Sequence, residues 1–427
     1  MKHVKFVILA LLMCYITPTF SQSNLIWSNK FFDTASTHTN AYYNGMVVDN
    51  NADVCIVGEA YNGASNNILV AKTNSNGQTI WSVVFNGDAS IQRRVRGGIG
   101  VDLQNNIYIT GYQLKDIGDN NNRSDFFLMK ISANGALLWT KIYDSGFNDN
   151  MDFTGIVVNP NGQVILAGMQ YNSLNANYND LLFVKFDASG DLLWDATLDG
   201  GNYETLRSVS SDANGNIYAS FQTYNYTEVS LNSIGAVKLS SSGEKKWYQV
   251  FLSPNIQYLY SNLNDLSVND KGEVFINGYM KTFDGKDFDL LTVKYDTGGK
   301  LMWYKVFDSG NVDYSAAITT DGKGNVVVSC NSFDSETGGY YCNLVKYDDG
   351  GNLVWNSKVF KSNLQGSLAW TYDMVKDDDA NLFLVGFGVE NGSLSAKSAQ
   401  INFDGNVEWD EEFKDVENSF VFGYDIY

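Results

Sequence analysis

Histidine, proline, cysteine and positive charge are all scarce in this chain, and each shortage closes a functional class. There are two histidines, His3 and His38, and four cysteines in 427 residues. A Ser–His–Asp machinery therefore has almost nothing to draw on: His38 lies in the polar stretch Ser36-Thr37-His38-Thr39-Asn40. Zinc held by His and Cys fails for want of ligand spacing, so no catalytic residue and no metal ligand set is assigned. Lys and Arg number 29 against 48 Asp and Glu, a formal charge of −19, which argues against nucleic acid and anionic membrane surfaces as partners. No glycine-rich phosphate loop opens a helix. No window beyond the N-terminus carries apolar residues at helical spacing, so helix content should be small. What is abundant is Gly, at 39 against 3 Pro, together with 26 Tyr and 25 Phe: many tight turns between aromatic-rich strands.

Residues 1–21 read as a signal peptide. Lys2 and Lys5 form the basic end, Phe6 to Ile16 the apolar stretch, and Thr19-Phe20-Ser21 a small-residue cleavage site. The apolar run is too short for a membrane span, and Met13 before Cys14 does not suit a lipoprotein signal. The expected product begins near Gln22, is secreted or held at the cell surface, and inserts in no membrane. Loss of Cys14 leaves Cys55 as a buried thiol in an apolar strand. Cys330 and Cys342 flank one variable loop and form a candidate disulfide that export would permit.

The dominant signal is a ruler nine residues long. Lys72, Lys130, Lys185, Lys238, Lys294 and Lys346 each precede a tryptophan by nine positions: Trp81, Trp139, Trp194, Trp247, Trp303 and Trp355. In a seventh copy Gln400 stands for lysine, before Trp409. Four residues before each tryptophan is a glycine: Gly77, Gly135, Gly190, Gly243, Gly299, Gly351 and Gly405. Strand composition on either side of Asp296 to Lys300, with Gly299 free to take φ > 0, makes this a β-hairpin. The lysine is expected on the strand surface, its stem beside the aromatics. A second ruler opens on Asp49, Asp102, Asn159, Asp212, Asn269, Asp321 and Asp377. Nine residues further on come Gly58, Gly111, Gly168, Phe221, Gly278, Cys330 and Gly386, read as ending a short strand.

Each unit thus holds four strands, A to D, and successive tryptophans from Trp27 onward are 52 to 58 residues apart. A strand-only repeat of that length fits a propeller blade, with the tryptophan wedged between blades. The fold class is therefore all-β, a β-propeller of four-stranded antiparallel blades, occupying 22–427 as one domain and monomeric. The segments Val101-Asp102 through Gly111 and Phe127-Leu128-Met129-Lys130 through Trp139 resemble the seven-bladed β-propeller repeat of bacterial exported proteins. The Gly-x-x-x-Trp hairpin is also similar to repeats of quinoprotein-like propellers. The resemblance spans roughly residues 25–427; it implies fold and export and carries no catalytic residues. Seven repeats are complete. Leu25 to Phe32 reads as a lone D strand and Gly423 to Tyr427 as the start of an A strand, which fits either a fragment of an eight-bladed ring or a seven-bladed ring with spare ends.

Function is expected at the loops. Asp377-Asp378-Asp379, Asp119 to Asn122 and Asp348-Asp349 offer oxygen ligands suited to calcium, although turn geometry alone accounts for Asp and Asn there. A pair of acids for glycoside hydrolysis could arise among 48, but none stands out from the repeat. In a propeller the D–A and B–C connections share one face, and here they break the repeat with Asn, Asp, Ser and Tyr. Arg93, Arg94 and Arg96 form the one dense basic cluster. Trp370 lies outside the tryptophan ruler, and Tyr203 opens an A strand. These five are the candidate ligand contacts of an exported, non-catalytic scaffold for a protein or glycan. The alternative is a carbohydrate-active hydrolase using acids on the same face.

Overall fold

The computed structural model describes residues 40–61, 66–86, 92–118, 121–172, 178–224, 233–252, 256–260, 265–282, 287–360, 366–377, 379–390 and 393–414. The leader, the strands expected at 25–32 and 423–427, His38, Asp119 and Asp378 lie outside them. Every regular element described is a strand. Sheet 1 comprises β1 (Asn40–Val48), β2 (Val54–Tyr61), β3 (Asn66–Thr73) and β4 (Thr79–Phe85). Sheet 2 comprises β5 (Gln92–Val101), β6 (Ile107–Gly118), β7 (Asn121–Ile131) and β8 (Leu137–Tyr143). Sheet 3 comprises β9 (Asn148–Val158), β10 (Val164–Asn172), β11 (Tyr178–Phe186) and β12 (Leu192–Leu198). Sheet 4 follows with β13 (Tyr203–Ser211), β14 (Ile217–Tyr224), β15 (Ser233–Leu239) and β16 (Lys245–Val250). In sheet 5 the A strand is split into β17 (Ile256–Tyr260) and β18 (Leu266–Val268), before β19 (Val274–Thr282), β20 (Asp289–Tyr295) and β21 (Leu301–Phe307). Sheet 6 is β22 (Asp313–Thr320), β23 (Val326–Asp334), β24 (Gly339–Tyr347) and β25 (Leu353–Val359). Sheet 7 is β26 (Leu368–Lys376), β27 (Leu382–Glu390), β28 (Ser393–Ile401) and β29 (Val407–Lys414).

Hydrogen bonding follows chain order within each sheet, antiparallel throughout, as blades of a β-propeller require. The chain divides into two compact units, one ending at Leu206 and the other starting at Arg207. Within each unit, consecutive blades bury an apolar layer between them. Val57 and Val70 of sheet 1 meet Ile107, Ile109 and Phe127 of sheet 2, and Leu128 of sheet 2 meets Leu166 and Val184 of sheet 3. Ile234 and Ala236 meet Ile276 and Val293 in the second unit, where Cys342 and Leu344 likewise meet Leu382 and Leu384.

The nine-residue ruler is a clasp between blades. Each lysine pairs in register with its tryptophan, as Lys294 does with Trp303 and Lys346 with Trp355. In sheets 5 and 6 both side chains then reach the C–D turn of the next blade. Lys346 Nζ and Trp355 Nε1 donate to the Phe403 carbonyl at 2.8 and 3.2 Å, and Lys294 Nζ and Trp303 Nε1 to that of Asp349 at 3.3 and 3.0 Å. In the first unit Trp81 Nε1 donates to the Ala133 carbonyl at 2.9 Å. The ring lies on the glycine of that turn: a Cβ on Gly299 would stand 2.7 Å from Trp247, and one on Gly351 2.9 Å from Trp303. These glycines also hold φ of 82° and 79°. The lysines are not surface residues. Lys294 is buried against Glu273 (3.0 Å) and Asp349, and Lys72 against Asp49 and Asp53 (3.1 Å), because the turn acids supply the counter-charge burial demands.

The second ruler is corrected in one respect. Its glycines do not end strands: Gly111 lies inside β6 and Gly386 inside β27. Each faces a bulge in its A strand, where a Cβ on Gly111 would come within 1.9 Å of the Arg94 carbonyl and one on Gly386 within 2.1 Å of the Trp370 carbonyl. The disulfide is also overturned. Cys330 and Cys342 are free and buried; Cys330 pairs with Asn343 and Cys342 with Asn331. Side chains one residue apart alternate faces, so Cys330 enters the layer toward sheet 5 and Cys342 the layer toward sheet 7. Burial pushes the Cys342 thiol up to about 12.

Candidate functional site

The D–A and B–C ends of sheets 5, 6 and 7 carry a continuous group of aromatic rings. Tyr314, second residue of β22, is its hub. It touches Tyr279 of β19 edge-on at 5.0 Å, Trp370 of β26 at 5.8 Å, Phe288 at 6.3 Å and Tyr340 of β24 at 6.4 Å. Tyr340 in turn meets Trp370 at 5.5 Å and Phe333 at 5.3 Å. Tyr279 is buried; the other five rings are half-buried and keep solvent-facing area. The backbone beneath them is fixed. The Asn331 amide exchanges two bonds with the backbone of Thr371, accepting from its N–H at 2.7 Å and donating to its carbonyl at 3.2 Å. Tyr340 N donates to Ser367 O at 3.0 Å, next to the parallel bridge from Tyr340 to Leu368. Trp370 thus belongs to a shared ring cluster and does not pack under its own blade alone.

Carboxylates flank this cluster. Asp289 follows Phe288, Asp313 precedes Tyr314, and Asp308 stands in the connection between β21 and β22. The three offer oxygens that all lie within 4.8 Å of one another. Asp313 is buried: Ser332 Oγ donates to it, as does Ser309 N at 2.8 Å. Burial raises the Asp313 carboxyl above the ordinary carboxylate range. Burial, and then the charges of Asp308, Asp313 and Asp287, push Asp289 up to about 7. Near neutrality Asp289 therefore alternates between an acceptor and an O–H donor.

The same positions recur in the first unit. Asp125, Asp144 and Asp149 stand five before the ruler lysine and five and ten after its tryptophan, the offsets of Asp289, Asp308 and Asp313. There Arg123 supplies a counter-charge, at 3.4 Å from Asp125 and in direct contact with Asp144. Ser145 N donates to Asp149 at 3.2 Å, and burial pushes Asp149 up to about 7. Asp180, Asp199 and Glu204 repeat the offsets once more, with Asp180 pushed up to about 6 by burial and by Asp199. In sheet 5 the position of Arg123 is taken by Asp287. These acids are absent from the candidates the sequence suggested, yet the signal was present: three of seven repeats carry acids at all three offsets.

The remaining candidates are placed as follows. Arg93, Arg94 and Arg96 lie on β5 in the first unit. Arg94 and Arg96 stand 3.2 and 3.6 Å from Glu59, and Arg93 Nε donates to Gln113 at 3.4 Å. Tyr203 opens β13 in the first unit, half-buried beside buried Glu204. Three of the turn acids proposed for calcium have partners among the described residues. Asp377 and Asp348 each accept from the backbone four residues on, at 2.7 Å, and Asp349 holds Lys294.

No protein-family model and no curated protein matches the chain. Among solved structures it is similar to a polysaccharide lyase of family PL25, an ulvan lyase, at 10% identity and a TM-score of 0.49, covering 88% of this chain and 92% of that one. It is also similar to the β-propeller domain of the Trilobed protease from Pyrococcus furiosus (10% identity, TM-score 0.46, 89% and 98% covered). A third likeness is to an α-L-arabinofuranosidase from Fusarium graminearum (10%, 0.42, 74% and 94%). Nothing of their chemistry transfers at this level of similarity.

Proposed function

We propose that the protein is an exported, non-catalytic β-propeller of the bacterial repeat type that binds a glycan at the D–A/B–C end of sheets 5 to 7. The observation that carries this reading is the half-buried ring cluster around Tyr314, bordered by carboxylates. Aromatic faces stack on the C–H faces of sugar rings, while carboxylate oxygens accept from sugar hydroxyls; a few polar groups placed around an apolar floor make a ligand site. Loss of the Trp370 face should remove about 1–2 kcal/mol, some tenfold in affinity. The test is a glycan array followed by calorimetry on Trp370→Ala and Tyr340→Ala. Both variants should weaken binding about tenfold or more while remaining folded with a lowered melting temperature. Glycan binding untouched by either substitution, or no glycan bound at all, would overturn the reading.

A second reading is hydrolysis, favoured by the raised Asp289 carboxyl beside two other acids. Retaining glycosidases need carboxyls about 5–5.5 Å apart, one protonated. Against it, Asp313 is fully buried and bonded to two serines, which leaves Asp289 and Asp308 to face a substrate. Asp289→Asn separates the two: a hydrolase loses turnover, whereas a binding protein retains most of its affinity.

A further inference from the structure

We propose that Arg94 and Arg96, oriented by the buried carboxylate of Glu59, form a site for an oxyanion, the sulfate or carboxylate group of an acidic glycan. The site lies in the first unit and does not rest on the reading of the aromatic cluster. Its foundation is Glu59, on β2, with a side chain 2% exposed. Glu59 accepts from Val95 N, and Arg94 Nη1 donates to it at 3.2 Å. Arg96 Nη1 stands 3.6 Å from the other oxygen of Glu59. One buried negative charge is thus faced by two guanidiniums, with Arg93 next to Arg94 in the chain. The local balance is positive in a chain whose formal charge is −19.

Among the described residues, each guanidinium spends a single nitrogen on the protein. Arg94 Nη1 also reaches Asn66 Oδ1 at 3.2 Å, and Arg96 Nη1 donates to Val95 O at 2.9 Å. Among the described residues, Nε and Nη2 of both arginines make no hydrogen bond, and the side chains are 33% and 39% exposed. A guanidinium presents five N–H donors in a planar fork that matches the oxygens of carboxylate, sulfate or phosphate. Two forks held at one end by a common carboxylate and open at the other lose little freedom on accepting such a group. Arg93 sits to the side, its Cζ 6.0 Å from the Phe127 ring, and adds charge without sharing Glu59.

The ligand chemistry is tested with inorganic sulfate, a sulfated oligosaccharide, a uronate oligosaccharide and a neutral oligosaccharide of equal length, by calorimetry at matched ionic strength. Sulfate, or either acidic oligosaccharide, should bind and raise the melting temperature, and the neutral sugar should do neither at this site. Binding of sulfate identifies an oxyanion pocket; binding of only the acidic oligosaccharides identifies the same pocket within a longer glycan site. Arg96→Gln, which leaves Glu59 its Arg94 partner, should weaken binding tenfold or more. Glu59→Gln with Arg94→Gln removes the buried charge and its partner together and should do the same in a folded protein. Arg96→Lys should recover only part of the affinity, because the fork is lost while the charge remains. The proposal falls if no acidic probe binds, or if binding is equal in parent and Arg96→Gln. An aromatic-cluster variant, Trp370→Ala, should leave sulfate binding unchanged, so failure here and failure of the glycan reading are separately visible.

Discussion

At the scale of single residues, the ruler encodes a contact between neighbours and not a property of one blade. Lys, Gly and Trp at fixed offsets were legible because six repeats carry all three residues and the seventh replaces only the lysine, with Gln400. That the lysine is buried was not legible, since its counter-charge comes from acids of the A–B turn and the next blade, at separations such as the 55 residues from Lys294 to Asp349. The glycine shows how two constraints coincide. Gly299 holds φ of 82° and its absent Cβ would stand 2.7 Å from Trp247, whereas Gly310 holds φ of 94° with nothing within 4 Å. Gly310→Ala should therefore cost only backbone strain, about 1 kcal/mol, and Gly299→Ala that strain plus displacement of a packed indole, ~2–4 kcal/mol. Urea unfolding of the two variants checks the difference; equal costs would mean that the tryptophan does not rest on the glycine.

At the scale of elements, strand alternation decides what adjacent residues can do. Cys330 and Cys342 looked close because their strands are joined by a short connection, but they leave opposite faces of the sheet, a distinction that needs the register and not the spacing. The acid sets show the reverse case, where register makes a pattern that spacing already contained. One edge of a C strand, the D–A connection and the start of the next A strand bring Asp125, Asp144 and Asp149 together between sheets 2 and 3, and Asp289, Asp308 and Asp313 between sheets 5 and 6. Arg123 relieves the first set; Asp287 adds charge to the second. Asp287→Arg should move a guanidinium into the equivalent place, lower the Asp289 carboxyl from about 7, and stabilise the protein at pH 8 by ~1 kcal/mol. Thermal melts of parent and variant at pH 8 test this, and an unchanged or lower melting temperature would show that the two blades are not equivalent at that edge.

For the whole molecule, these carboxyls set how stability varies with pH. Asp149 and Asp289 are raised to about 7, and Asp180 and Asp265 to about 6, burial being the largest cause in each. Unfolded aspartate releases its proton near pH 4, so between about pH 4 and 7 the folded chain holds protons that the unfolded chain has lost. Stability must then fall as pH rises through that window, and the chain's negative charge adds repulsion in the same direction. Below about pH 4 the sign reverses. Asp212 is held low by hydrogen bonds from Asn216 and Tyr218, and Asp349 by Lys294, so their protonation removes stability. Melting temperature should thus peak near pH 4 and decline toward pH 8. Asp149→Asn with Asp289→Asn fixes both sites in a form close to the protonated one: the decline from pH 5 to 8 should flatten and the melting temperature at pH 8 should rise. A double variant that keeps the parent's slope would assign the pH dependence to overall charge, a result that added salt would confirm by flattening parent and variant alike.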